Sequence, residues 1–391
     1  MTTKKSNVKV GVFLSAILMM GGIGVSSALA GLSEWYGMNM TDTVFGIVST
    51  CCIAVCVVTL VSGFLMNKVP KKILLILGIL LFIIGGIIPA FTGKEFGAVM
   101  AMRIVFGAGT GLVQACCPAI LAENYEGAEC AKAMGWNNSF QMLGCIAMQL
   151  IGGFLGSMIP ITTVYFVHLF GIISLIFAII FVPYKKPMAA ESGEKPKITI
   201  TGGLIFAGIM FFIFMVAGQI FSNNASGIIT NLGIGSSSEA GLTIAFFAAG
   251  GFIMGFLFDK IFGKCKGYTM SLGFAILAIS YLIMAYGMNM PMQFVGAFVC
   301  GLAFSICMPL FFALAAGSVD AATSGFAISF ITCLQNVGMV ICPYVVAAAA
   351  PAVAEGFGVI TDQGALIFGA ILIALFAVIF LIRAIALRKK A

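Results

Sequence analysis

Twelve stretches of roughly twenty apolar residues, separated by short connections, leave this 391-residue chain few ways to fold. A bilayer core ~30 Å thick is crossed by a helix of about 20 apolar residues, and hydropathy places such stretches at 10–32, 44–66, 73–91, 96–120, 133–157, 161–183, 202–224, 240–258, 267–288, 292–316, 324–349 and 363–385. The alternating pattern of barrel strands is absent, so the expected class is an all-α integral membrane protein with twelve spans. Apolar residues make up 61% and charged residues 8% of the chain. That balance excludes a water-soluble globule, a disulfide scaffold and a disordered chain. The net charge of +7 is not gathered on a basic face, which removes nucleic acid as a partner.

The positive charges assign sides. With the amino terminus inside, eighteen of the twenty Lys and Arg fall in inner segments: Lys4, Lys5 and Lys9; Lys68, Lys71 and Lys72; Lys132; Lys185, Lys186, Lys195 and Lys197; Lys260, Lys264 and Lys266; Arg383, Arg388, Lys389 and Lys390. Lys94 falls outside and Arg103 within a span. Both termini are therefore expected in the cytoplasm of a cell bounded by a plasma membrane of bacterial type. A rival reading takes the first lysines, the apolar run and Ala28-Leu29-Ala30 as a cleaved secretory signal. The run from Val10 to Gly31 is 22 residues long, beyond the usual ~7–15 of a signal, which favours a retained first span.

An internal repeat divides the chain. Gly63-Phe64-Leu65-Met66-Asn67-Lys68-Val69-Pro70-Lys71-Lys72 shares five of ten positions with Gly255-Phe256-Leu257-Phe258-Asp259-Lys260-Ile261-Phe262-Gly263-Lys264, at an offset of 192. Cys116-Cys117-Pro118 echoes Cys307-Met308-Pro309, and the segment at Gly135 echoes that at Gly325. The repeat predicts two parallel six-helix bundles with pseudo-two-fold symmetry, residues 1–183 and 202–391, joined by a cytoplasmic linker at 184–201.

Those two decapeptides resemble the loop signature of the major facilitator superfamily, and Arg103-Ile104-Val105-Phe106-Gly107-Ala108-Gly109 is similar to that family's Arg-x-x-x-Gly-x-Gly pattern. Among its subgroups, length and linker resemble the bacterial efflux permeases. The resemblance implies a secondary transporter working by alternating access, with the first, fourth, seventh and tenth spans lining the path. It also implies conformational roles for Gly63, Asn67, Lys68, Gly255, Asp259 and Lys260. Two departures stand out. Asn67 and Pro70 replace the Asp and Gly of the first loop, so only Asp259 keeps the latching charge. The run Gly135, Gly144, Met148, Gln149, Gly152, Gly153 follows the antiporter register, yet Met-Gln stands where that signature has Gly-Pro. This weakens proton-drug exchange as a reading.

A charge in hydrocarbon costs at least ~2.5–3.5 kcal/mol and faces a cavity or a partner, so ionisable groups locate candidate sites. All thirteen acids fall near one side or the other, and none lies at mid-membrane. Arg103 is the one permanent charge inside a span. It reads either as an anion or proton-coupling site, since a guanidinium can clamp a carboxylate, or as a tie to a neighbouring helix's carbonyls. Gly107, Gly111 and Gln114 follow on its face, suiting a cavity wall or a close contact. His168 reads as a hydrogen-bonded structural residue or a proton relay, with Glu34 as a second candidate relay group.

Uncharged polar residues mark the expected path. Asn137, Gln141, Cys145 and Gln149 recur every four residues on the fifth span, and Gln335 and Asn336 mirror them on the eleventh. Gln219, Asn223 and Asn224 lie on the seventh, with Ser26 and Ser27 on the first. The substrate-binding set is therefore Arg103, Gln114, Gln141, Gln149, Gln219, Gln335 and Asn336. Trp35 and Trp136 are expected at the two interfaces, and Gly107/Gly111 and Gly251/Gly255 at close helix contacts.

The twelve Cys include no Cys-x-x-Cys pair, and a single His supports no metal cluster. No nucleophile-base set or nucleotide motif is present, so neither an enzyme nor an ATP-driven pump is expected. The chain is expected to act as a monomer in lipid, without cofactors, on a small-molecule substrate and, in one reading, protons. The positive charge of Arg103 leans toward an organic anion such as a monocarboxylate. Drug efflux, and a receptor or assembly factor that keeps the fold without transport, are the alternatives.

Overall fold

The computed structural model describes residues 5–26, 28–38, 42–43, 45–187, 199–235, 237–320 and 323–388, with no side-chain description for some residues inside the helices. Lys4, Ser27, Glu191, Glu194, Lys195, Lys197, Lys389 and Lys390 lie outside the described residues, as does most of the expected linker, and the side chains of Lys5, Ser26, Asn223 and Arg388 are not described.

Each apolar stretch is helical, and no strand occurs among the described residues. The first span is built from α1 (Lys5–Ala16), a 3-10 turn at Ile17–Met20, α2 (Ile23–Ser26) and α3 (Leu29–Tyr36). A π turn at Phe45–Ser49 leads into α4 (Thr50–Leu65), followed by α5 (Lys71–Ile87), α6 (Phe96–Asn124) and α7 (Gly127–Gly156). A 3-10 segment at Ile161–Leu169 precedes α8 (Phe170–Phe181). The later spans are α9 (Gly202–Asn231), α10 (Ser237–Cys265), α11 (Thr269–Tyr286), α12 (Met290–Ala316), α13 (Ser324–Phe357) and α14 (Thr361–Arg388). Ten helical runs among the described residues are long and apolar enough to cross a membrane, and one, Gly241–Tyr286, contains two expected spans. The first span is the exception by length, since it is interrupted.

Three expectations need correction. The first span is not one helix over 10–32. Its backbone breaks around Gly21-Gly22, where Ile17 and Gly24 press their carbonyls onto Gly144 and Gly152 of α7, positions at which any side chain would collide. Helix ends also lie beyond several predicted bounds, with α7 starting at Gly127 and α10 running to Cys265. Hydropathy reports the thickness of hydrocarbon, whereas a helix keeps its hydrogen-bond ladder past the headgroups. Finally, the second decapeptide is no loop. Gly255 to Lys264 lies within α10, while Pro70 breaks the first copy and opens α5.

The described contacts form two compact units. One comprises Met1–Gly208 with Phe312–Asn336, the other Ile209–Phe311 with Val337–Ala391. In lipid, helices gain little from apolar burial against one another, so small residues that allow backbone contact decide which faces meet. In the first unit a Cβ on Gly107 would strike the Cys51 carbonyl of α4, and one on Gly111 would sit 2.9 Å from the Val55 oxygen. Gly78 and Gly85 of α5 receive α6 in the same way. In the second unit Gly250 of α10 meets Phe298 of α12, and Gly301 meets Phe247. Phe211, Phe214, Phe274 and Phe311 pack beside them with ring centroids 5.0–6.1 Å apart.

Candidate functional site

Arg103 sits seven residues into α6, about 10 Å along the helix from Phe96 at 1.5 Å per residue. Its side chain is 1% exposed. Nε donates to the Ile47 carbonyl at 2.8 Å. Ile47 lies in the π turn before α4, where the widened backbone turn releases a carbonyl from the ordinary helical ladder. The guanidinium carbon stands 4.2 Å from the Phe106 ring centroid, an attractive cation-π geometry. Nη1 is buried without a partner, and among the described residues no carboxylate lies within ion-pair distance of the group. One nitrogen thus ties α6 to the chain before α4, and another is left uncompensated.

Beyond Arg103, its helical face is a seam. Gly107 and Gly111 are filled by the α4 backbone, which decides between the two alternatives that the sequence left for this face. Gln114 is half-buried further along. Its Nε2 donates to the Met19 carbonyl at 3.4 Å, and its Oε1 accepts from Asn336 Nδ2 at 3.2 Å. Asn336 also donates to Thr332 O at 2.8 Å. Side chains of α6 and α13 and a carbonyl of the first span therefore meet in one amide network inside the first unit. Gln335 and Gln141 are buried and Gln149 is half-buried on α7. Gln219 is half-buried on α9 and belongs to the second unit.

His168 is fully buried. Its Nδ1 is 2.8 Å from the Tyr165 carbonyl, which can only accept, so Nδ1 carries a proton, while Nε2 is buried without a hydrogen-bond partner. Phe82 and Phe106 meet the imidazole edge-on at 5.4 and 4.7 Å, and Gly86 leaves room for it. Glu34 is exposed. Of the conformational set, Gly63 is buried against Ser329 and Phe326 of α13, with 2.8 Å between its would-be Cβ and Ser329 Cβ. Asn67 and Asp259 are half-buried, Gly255 is buried, and Lys68 and Lys260 are exposed.

Sequence reasoning passed over Tyr165, whose buried hydroxyl feels the Arg103 charge, and Tyr36, whose buried hydroxyl neighbours that of Tyr165. It also missed the pair Lys71 to Glu123, which closes at 3.1 Å between the start of α5 and the end of α6.

Against known proteins, the sequence pattern of the Major Facilitator Superfamily matches residues 11–343. The chain belongs to this superfamily. It is a multi-pass membrane protein with the twelve-helix transporter fold. The crystal structure of the human organic anion transporter MFSD10 (TETRAN) superposes with a TM-score of 0.74 at 15% identity, covering 96% of this chain and 99% of that one. The E. coli fucose:proton symporter FucP gives 0.72 at 14% identity, covering 96% and 99%. The proton:xylose symporter XylE gives 0.72 at 13%, covering 95% and 94%. At such identities the likeness is one of fold. Among curated proteins, the Quinolone resistance protein NorA of Staphylococcus aureus (strain MRSA252) is 22% identical over 238 residues, or 58% of this chain. The match spans 60% of that relative's length. The same protein from strain Mu50 is 25% identical over 134 residues, 34% of each chain.

Proposed function

We propose that this superfamily member is a secondary transporter that carries a small organic anion, a monocarboxylate in its simplest form, by alternating access. The buried guanidinium of Arg103, with Nη1 unpartnered and no carboxylate beside it among the described residues, carries this reading. An uncompensated buried charge costs several kcal/mol, and ionisable groups at membrane depth mark the pathways of substrates and ions. The amides of Gln114, Gln141, Gln149, Gln335, Asn336 and Gln219 supply neutral hydrogen bonds along the path. The halves at 1–183 and 202–391 rock about the linker, with Gly63, Asn67, Lys68, Gly255, Asp259 and Lys260 acting where they part. Both termini face the cytoplasm, and the monomer is the working unit. Exchange or uncoupled flux suits the absence of a mid-membrane acid from the sequence, with His168 and Glu34 the groups to test for proton coupling.

A second reading is efflux of amphipathic drugs, favoured by the local similarity to the quinolone resistance protein. Uptake of radiolabelled monocarboxylates into proteoliposomes, with and without a pH gradient, separates the two. Saturable acid uptake that falls about tenfold or more in Arg103→Lys is expected, because hydrogen bonds to charged groups contribute about 1.5–3 kcal/mol and lysine cannot reproduce the planar fork. Extrusion of amphipathic dyes without any acid flux overturns the first reading in favour of the second.

A further inference from the structure

Buried polar groups in proteins are nearly always hydrogen-bonded, so orphans gathered in one place call for an occupant. Among its described side chains the second unit breaks the rule once, at the Ser305 hydroxyl; its buried Tyr281 hydroxyl donates to Ala217 O at 2.8 Å, and its Gln293 and Gln363 amides reach carbonyls at 2.7–2.8 Å. At the Gly93–Phe96 end of the first unit it is broken three times over. Arg103 Nη1, Tyr165 OH and Tyr36 OH are all buried and all unpartnered.

Tyr165 links these groups. Tyr165 packs in the same apolar cluster as Ile47, whose carbonyl holds Arg103, and Tyr36 packs against that cluster. The two tyrosine hydroxyls interact with each other, and the Arg103 charge acts on that of Tyr165. Each group can donate a hydrogen bond, and the guanidinium can do nothing else. Glu34 and Glu95, the nearest acids in sequence, are exposed. His168 also feels the Arg103 charge, but its ring is engaged with backbone, Nδ1 standing 2.8 Å from the Tyr165 carbonyl, and it is not counted in the set. Tyr36 is only half-buried, stands 5.2 Å from the Phe96 ring, and ends α3 where Gly37 turns the chain away at φ 65°, so the cluster lies one aromatic layer below the surface. The exposed Lys94 rests on the adjacent Trp35 and adds positive potential at that end.

We propose that Arg103, Tyr165 and Tyr36 form a binding site for a compact monoanion, either the carboxylate group of the transported solute or a free halide. Bound water would satisfy the donors but leave the charge unbalanced; an anion does both. The carboxylate source rests on the transport reading above, and the halide source does not.

The test titrates detergent-purified full-length protein with sodium formate and with sodium chloride, against gluconate at equal ionic strength, and follows the thermal unfolding midpoint. A saturable rise is expected in the wild type. In Tyr165→Phe and Tyr36→Phe the half-saturating concentration should increase about tenfold, the loss expected for one hydrogen bond to a charged group. Because neither hydroxyl touches any polar group but the other without the anion, the same variants should keep the midpoint in gluconate nearly unchanged, whereas a hydroxyl tied into the protein's own hydrogen bonds would lower it. Stabilisation by formate but not chloride assigns the site to a carboxylate. Response to both, in a protein that moves no acid, keeps the site and removes the solute reading. No anion-dependent rise in the wild type, or a rise undiminished in both variants, overturns the proposal.

Discussion

The side-chain amide of Asn336 donates to that of Gln114 across 3.2 Å, although 222 residues separate them. One amide comes from α13 and the other from α6, and Gln114 passes the connection on to the Met19 carbonyl. Hydrogen bonds between membrane helices average about 0.6 kcal/mol in coupling. Asn336→Ala and Gln114→Ala should each slow solute uptake by several-fold, yet the double variant should be no slower than the worse single one by more than about threefold. A double-mutant cycle on initial uptake rates measures this. Fully multiplicative losses would show that the two amides act independently.

The glycine at 107 is set by contact with α4 rather than by the path. Any β-carbon there meets the Cys51 carbonyl and lies 2.8 Å from Ala54 Cβ, whereas Gly97, ten residues earlier on α6, has open space around it. Gly107→Ala should destabilise by about 1–3 kcal/mol, the usual cost of overpacking. Gly97→Ala should leave stability unchanged or slightly raised. Thermal unfolding of the two variants side by side checks the pair, and equal midpoints would contradict the seam.

Much of this architecture is legible in the chain because hydrocarbon imposes a length on every apolar run. The glycines at 107 and 111 also announce close contact, since they recur one turn apart. What hydropathy cannot report is backbone path within a run. Ile17 to Met20 reads as apolar as any helix, and its 3-10 turn follows from where Gly144 and Gly152 of α7 admit the neighbouring backbone. The site is legible only in part. Arg103 stands out because a charge in an apolar run has no ordinary explanation, and Gln114 and Asn336 stand out by polarity. Tyr36 and Tyr165 do not, because a tyrosine within apolar sequence looks like any packed aromatic until its hydroxyl is seen to lack a partner.

His168 offers a test of packing against proton transfer. The ring is enclosed by Phe82, Phe106 and the bare face of Gly86, and its Nδ1 is bonded to a carbonyl three residues earlier on its own turn. His168→Phe keeps an aromatic ring in that enclosure and should retain uptake within about twofold, the loss of one hydrogen bond of about 0.5–1.5 kcal/mol falling on stability. His168→Ala should lose about 2–5 kcal/mol of stability, as large-to-small core changes do. Uptake driven by a pH gradient is the deciding measurement. If His168→Phe folds but no longer responds to the gradient, the residue relays protons.

The crossing of α4 and α13 lends itself to a covalent test. Gly63 admits Ser329 and Phe326 so closely that the Ser62 and Ser329 hydroxyl oxygens are 3.4 Å apart, and Ser329 donates into a pair whose other proton is given to the Thr59 carbonyl at 2.6 Å. These residues come from the second and eleventh spans, one from each sequence repeat, and alternating access requires the repeats to part. Ser62→Cys with Ser329→Cys places two sulfurs within reach of a disulfide, whose Cβ atoms sit about 3.5–4.5 Å apart. Mild oxidation should join the two segments, detectable as a linked peptide by mass spectrometry, which sets this bond apart from those of the native cysteines. The linked protein should lose uptake and regain it on reduction, while each single variant treated alike should keep it. Full uptake by quantitatively linked protein would mean that this crossing stays closed throughout the cycle, and the moving boundary would then have to be sought elsewhere in the bundle.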